Sequence, residues 1–240
     1  MGSVEREGIA AQGDIINDVP GALLVTGFFT PDYRALATRF AQNLSHHNIG
    51  YHLYAAPALD WSKAVLLKPS IAMRALTQYP SRVIVLMDID CIVRFPIDKI
   101  VDGPFDVRLR IELRRSNKGR HEAIASSRVI VFRQGAIRFV QRWQRLCETS
   151  SSTNCNDETL LMEVVAESYG TSITMLPLSF AGIEIDRISD DAAIVHEGVH
   201  NTTQFAYTFK KQLKRIRRSA IERITGRPYR RRISITDDQE

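Results

Sequence analysis

A chain of 240 residues with 44% hydrophobic and 25% charged residues can bury one sizeable core, and its composition excludes a fibrous, a disordered or a disulfide-stapled class. No stretch reaches the roughly 20 apolar residues of a bilayer span, and the opening MGSVEREGIAAQGDIIND lacks the basic-then-apolar order of a secretion signal, so a cytoplasmic protein is expected. The formal net charge of +5 conceals an asymmetry: residues 210–232 hold eleven Lys/Arg against the single acid Glu222, a net of +10, while the remainder of the chain stands at −5.

Residues 1–20 are expected to form a flexible N-terminal segment. Ala22 to Phe29 (ALLVTGFF) predicts a buried strand, with Thr30 as a helix N-cap and Pro31 at the first helical position. Tyr33, Leu36, Ala37, Phe40 and Leu44 follow at helical spacing. Tyr51 to Ala55 is a second strand, and Asp60 to Gln78 has a helical pattern interrupted at Pro69, where a kink or break is expected. Val83 to Met87 is a third strand. Two successive strand-helix-strand units predict a mostly parallel sheet with helices on both faces and its ligands at the carboxyl ends of the strands.

Further along, Val107 to Leu113 alternates like a half-exposed strand, and Ser127 to Phe132 resembles a buried one. Ala136 to Glu148 is a helix carrying Ile137, Val140, Trp143 and Leu146 on one face. Asp157 lies near the start of a helix predicted to run through Tyr169, and Ser172 to Leu176 and Ala193 to His196 are short strands. Beyond them, Leu213, Ile216, Ala220, Ile221 and Ile224 recur at near-helical spacing beneath dense Arg and Lys. The three cysteines, Cys91, Cys147 and Cys155, match no zinc spacing and fit reduced thiols.

The third strand ends in Asp88-Ile89-Asp90, which delivers two carboxylates to the carboxyl edge of the sheet. Two acids two residues apart converge on one ligand only where the backbone turns between or after them. Hard oxygen donors at such a turn suit Mg²⁺ or Mn²⁺, and a divalent ion suits a diphosphate. The plainer alternative is that both aspartates merely end a strand and cap the next element.

In order and spacing, from about Ala22 to about His200, the sequence resembles glycosyltransferases of the GT-A fold, in particular the glycogenin-like and lipopolysaccharide galactosyltransferase-like enzymes. Thr26-Gly27-Phe28-Phe29 falls where that fold holds the base and ribose of the nucleotide. Trp61 and Lys68-Pro69 precede the metal strand, and Asp88-Ile-Asp90 is similar to the DxD motif. Ser126-Ser127-Arg128 followed by an apolar run resembles the segment beneath the donor sugar, where the family usually has Asn-Ser-Gly. Asn156-Asp157-Glu158 is similar to the acidic motif beside the reacting sugar, and Ile194-Val195-His196 to the late strand whose His completes the metal shell.

The resemblance implies a GT-A-like Rossmann-type α/β sandwich over residues 21–205, followed by a basic amphipathic tail over 206–240. It implies a nucleotide-sugar donor, most simply UDP-linked, bound by Thr26, Gly27, Phe28, Lys68, Asp88 and Ser127. Asp88, Asp90 and His196 would hold the metal, with Mn²⁺ favoured over Mg²⁺ because one ligand is an imidazole. Asp157 or Glu158 would be the general base if configuration is inverted; if it is retained, the leaving phosphate takes the proton. The acceptor would be a saccharide or a lipid-linked one. The 210–232 tail suits an anionic membrane surface better than a nucleic acid, which would place the protein at the inner face of the membrane; equally, it suits a helix that packs on the acidic body.

Two alternatives belong to other classes. His196-Glu197-Gly198-Val199-His200 spells HExxH, the pattern of a zinc-dependent hydrolase, with Glu222 downstream as a candidate third ligand. Gly198 and the β-branched residues before His196 disfavour the helix that such a site needs. The other alternative is a non-catalytic binding module that works through its basic tail.

Overall fold

The structure is a computed structural model that describes residues 13–115, 121–150, 156–168, 170–180, 183–184 and 192–198. All of these fall in a compact unit ending at Gly198. The basic tail, His200 and Glu222 lie outside the described residues.

In chain order the elements are β1 (Ile15–Asn17), β2 (Leu23–Phe29), α1 (Arg34–His46), β3 (Tyr51–Ala55), α2 (Trp61–Ala64), α3 (Lys68–Gln78), β4 (Val83–Met87), β5 (Cys91–Val93), β6 (Val107–Arg115), β7 (His121–Phe132), α4 (Ile137–Thr149), α5 (Asp157–Ala166), β8 (Ile173–Met175), β9 (Ile183–Glu184) and β10 (Ile194–His196). A seven-stranded sheet has the order β1-β3-β2-β4-β7-β6-β8, and β5-β10-β9 form a small second sheet. In the large sheet only β1 and β7 run against the other five, so it is mostly parallel.

The pleat of the central strands sorts their side chains into two cores. Leu23, Val25 and Phe29 of β2 and Val85 and Met87 of β4 face α1 and the small sheet, meeting Phe40, Leu44, Cys91, Val93 and Ile194. Leu24 of β2 and Ile84 and Leu86 of β4 face the other way, against Ala72 and Leu76 of α3, Trp143 of α4 and Leu161 of α5. α1 buries Ala37, Phe40 and Leu44 of its expected stripe, and α4 buries Val140 and Trp143 with Phe139 and Cys147, while the expected Ile137 and Leu146 are only half-buried. Pro69 sits at the start of α3, where its missing N–H costs nothing, so the expected break falls between the short α2 and α3.

Several elements differ from expectation. Residues 13–20, expected within a flexible segment, are built into the fold: β1 pairs antiparallel with β3, and Asp14 accepts a hydrogen bond from the backbone of Ala55 at 2.8 Å. Pro31–Tyr33 is a 3-10 turn, so α1 begins at Arg34, and the Thr30 hydroxyl meets the Asp32 carboxylate instead of capping the helix. α5 ends at Ala166. β7 begins at His121, six residues before the apolar run that announced it.

That extension shapes the site. Val129 to Phe132 of β7 pair with β4, whereas His121 to Ser126 pair only with β6, and the register slips between Arg108 and Arg110. The irregularity lies beside the end of β4, so the β6–β7 ribbon continues past the edge where β4 stops and walls one side of it. Bulges of this kind re-aim side chains next to functional sites.

Candidate functional site at the end of β4

The convergence of Asp88 and Asp90 rests on a turn. The Cys91 amide donates to the Asp88 carbonyl at 3.0 Å, closing Asp88 to Cys91 into a tight reversal that carries the chain from the large sheet into the small one. β10 then pairs with β5 so that His196 stands opposite Cys91, and the Glu197 amide donates to the Asp90 carbonyl at 2.9 Å. Asp88, Asp90 and His196 each thereby offer one ligand atom, all within 4.8 Å of one another. His196 Nε2 lies 3.0 Å from Asp90 Oδ1 and 3.6 Å from Asp88 Oδ2.

Two carboxylates and an imidazole at this spacing fit one divalent ion after a small closure of the side chains, and the donor set suits Mn²⁺ better than Mg²⁺. A cation bound there would compete with protonation of His196. Burial pushes the His196 pKa down, but its hydrogen bonds to Asp88 and Asp90 outweigh burial and raise it to about 9. Cys91 is no ligand candidate: burial and the neighbouring Asp90 and Asp88 charges push its thiol well up, so it stays protonated and apolar.

Behind the triad sits a buried polar network that joins three elements. Lys68, at the start of α3 and 6% exposed, places Nζ 2.7 Å from Asp88 Oδ1, 3.1 Å from Asp157 Oδ2 and 2.9 Å from Ser127 Oγ. Ser127 Oγ donates in turn to Asp157 Oδ2, and Trp143 Nε1 donates to the Asp157 carbonyl at 3.2 Å. Burial pulls the Lys68 pKa down, but the Asp157 and Asp88 charges beside it win, and the ammonium is held above its ordinary value. The same contact, against burial, lowers the Asp88 carboxyl to about 2. An ammonium has three donors, and Asp88, Asp157 and Ser127 account for all three.

The structure therefore brings Lys68, Asp88, Asp90, Ser127, Asp157 and His196 together. The other four expected site residues stand outside this network. Thr26 is fully buried, and its hydroxyl donates to the His52 carbonyl at 3.0 Å, inside the sheet. Gly27 is small because a Cβ there would stand 2.7 Å from the Met87 carbonyl, so it allows β2 and β4 to approach where β4 ends. Phe28 packs against the α3–α5 core. Glu158 occupies the first turn of α5.

Asp157 is the first residue of α5 and not its cap. Asn156 is the cap: its side chain accepts from the Thr159 amide at 2.9 Å, which leaves the Asp157 carboxylate to the network. Trp143 is the contributor that sequence reasoning missed, because it read as a core residue. Over Ile194–His196 the chain is a strand, not the helix that a zinc site built on HExxH requires.

A groove of about 450 Å³ lies at the ends of β2 and β3, lined by Pro31, Asp32, Ala58, Leu59, Asp60 and Lys63. It opens on the carboxyl edge, where sheets of this kind bind ligands.

No protein-family model and no curated protein matches this sequence. Among solved structures, the fold is similar to that of a glycosyltransferase involved in the glycosylation of the major capsid of PBCV-1, at 12% identity and a TM-score of 0.60, over 79% of this chain and 100% of that one. The galactosyltransferase LgtC, in complex with donor and acceptor sugar analogs, matches at 11% identity and a TM-score of 0.49, over 79% of this chain and 94% of its own. The first likeness extends over the whole of that enzyme, and the architecture is the GT-A-like sandwich that the sequence resemblance implied.

Proposed function

We propose that the chain is a metal-dependent glycosyltransferase that moves a sugar from a nucleotide-diphosphate donor to a saccharide or lipid-linked hydroxyl. The observation that carries this is the meeting of Asp88, Asp90 and His196 at the carboxyl edge of β4, in the fold of a known glycosyltransferase. A divalent ion held there would supply Lewis-acid stabilisation to the departing diphosphate.

The chain's own residues supply the rest. Lys68 neutralises Asp88 on the side away from the ion and fixes its carboxylate, while Asp157 and Ser127 hold Lys68. The sugar would lie over Ser127 and Asp157, with the nucleotide along the groove between Pro31 and Lys63. Because Asp157 Oδ2 is engaged by Lys68 and Ser127, Asp157 is better placed to orient the sugar than to take a proton from the acceptor.

Nucleotide release from a panel of UDP-, GDP- and ADP-sugars tests this. Release is expected with Mn²⁺, to vanish in chelator and to fall by about a thousandfold in Asp90→Asn, as for loss of a principal electrostatic contact to the leaving group. Release that is indifferent to chelator would remove the metal; peptide cleavage lost in Glu197→Gln would turn the case toward a hydrolase.

A further inference from the structure

His196 is aimed at the triad without help from its second ring nitrogen. A histidine that ligates a metal usually donates that nitrogen to a carboxylate, a carbonyl or a water, which fixes the plane of the ring. Here Nδ1 is buried and has no hydrogen-bond partner among the described residues, while Nε2 faces Asp88 and Asp90. The direction of the imidazole therefore depends on the backbone that carries it.

That backbone is a strand of three residues, and its pairing with both β5 and β9 stops at His196 itself. The next residue supplies the anchor. The Glu197 amide donates to the Asp90 carbonyl at 2.9 Å, and the Glu197 carboxylate forms an ion pair with the Arg39 guanidinium of α1. Arg39 lies one turn before Asn43, so the two project from one side of α1 toward the small sheet, Asn43 to β5 and Arg39 to the end of β10. α1 is in turn seated on the large sheet through Ala37, Phe40, Ala41 and Leu44. The side chains of Arg39 and Glu197 are 55% and 21% exposed, and an ion pair so open to water adds little to stability. What it fixes is the position of the chain directly after His196. Glu197 is also the acid of the HExxH pattern, and the pairing gives that acid a role that calls for no hydrolase.

We propose that Arg39 is a positioning residue for the metal ligand His196 and acts through Glu197. The inference rests on the metal-dependent reading above and adds to that site a residue that is not itself a ligand.

The test is Mn²⁺ binding by calorimetry to the parent chain, Arg39→Gln, Arg39→Lys and Glu197→Gln, with the nitrogen modulation of the Mn²⁺ electron spin echo as the signature of imidazole ligation. Arg39→Gln is expected to weaken binding about tenfold, the lower end for residues that orient metal ligands, and to reduce the nitrogen modulation. Arg39→Lys should keep part of both, and Glu197→Gln, which breaks the pair from the other side, should reduce the modulation as well. Charge alone predicts the opposite sign for Arg39→Gln, because loss of a guanidinium near the site removes a charge that repels the cation. The melting temperature of Arg39→Gln in chelator should move by at most about 3 °C, as for an exposed pair. A larger fall would make Arg39 a prop of the fold and overturn the inference. So would an affinity that does not fall in Arg39→Gln, or a modulation that neither glutamine variant lowers, and each of these leaves the metal-dependent reading standing. A parent chain that binds no Mn²⁺ withdraws that reading and this inference with it.

Discussion

Lys68 decides whether the site's acids can be buried together. Asp88 and Asp157 come from different elements, and each would bring an uncompensated charge into a site where water is scarce. One ammonium bonded to both removes that cost and orders Ser127 as well. Breaking a buried pair by deleting one partner is far more damaging than replacing the whole pair, because it strands the other charge. Lys68→Met is therefore expected to lower unfolding free energy in chelator by about 3 kcal/mol or more. Lys68→Met combined with Asp157→Leu should recover part of that loss. Urea denaturation of the parent and both variants measures this, and a single variant as stable as the parent would show that the network contributes nothing. At this scale the sequence was an uneven guide. Asp88 and Asp90 stood out because two acids directly follow an apolar strand, whereas a buried lysine has no pattern of its own. Thr26 was expected at a ligand, but its hydroxyl bonds inside the sheet, because the side chains of a strand alternate between its faces.

The small sheet is the element on which His196 depends, and it has little to hold it. β5 and β10 have three residues each and β9 has two, so their own ladder is short. Asn43 of α1 compensates by acting as one more strand: its Nδ2 donates to the Val93 carbonyl at 2.9 Å, and its Oδ1 accepts from the Val93 amide at 2.8 Å. Asn43→Ala removes both bonds from a partly buried edge and is expected to cost about 1–3 kcal/mol. The same variant should weaken Mn²⁺ binding without touching any ligand, because β5 sets where β10 places His196. Hydrogen exchange at the Val93 amide, expected to speed up in Asn43→Ala, separates this from a general loss of stability. These short strands also mark where elements were legible. β2, β3 and β4 are mostly apolar runs buried on both faces, and α1, α3 and α4 repeat at helical spacing, so composition announced them. β1, β5 and β9 are too short for a period, and the first half of β7 mixes polar and small residues because its first three residues are exposed. Their pairing comes from tertiary contacts alone.

Across the whole molecule, metal binding and stability should respond to pH in opposite directions. Cys91, Val93 and Ile194 of the small sheet lie in the same core as Val25, Val85 and Phe40, so unfolding the large sheet also dismantles the site. Without metal, the raised His196 pKa of about 9 means that its stabilising contribution is complete below its ordinary value of 6.5 and lost as pH climbs through about 9, a change of about 3 kcal/mol. The depressed Asp88 carboxyl contributes above its ordinary 3.8 and loses that only as pH falls through about 2, so it is silent over this range. With metal the sign reverses. A ligating imidazole must be neutral, so binding expels the His196 proton, and apparent affinity gains up to tenfold per pH unit below about 9. Mn²⁺ at a hundred times its dissociation constant adds about 2.7 kcal/mol, roughly 5–11 °C in Tm for a chain of this length. Melting curves in chelator and in Mn²⁺ should therefore diverge between pH 6.5 and 9, the first falling while the gap to the second widens. In Asp90→Asn the gap should close. If the gap instead stays constant across that range, His196 is not a ligand, and the ion, if it binds, is held by the two aspartates alone.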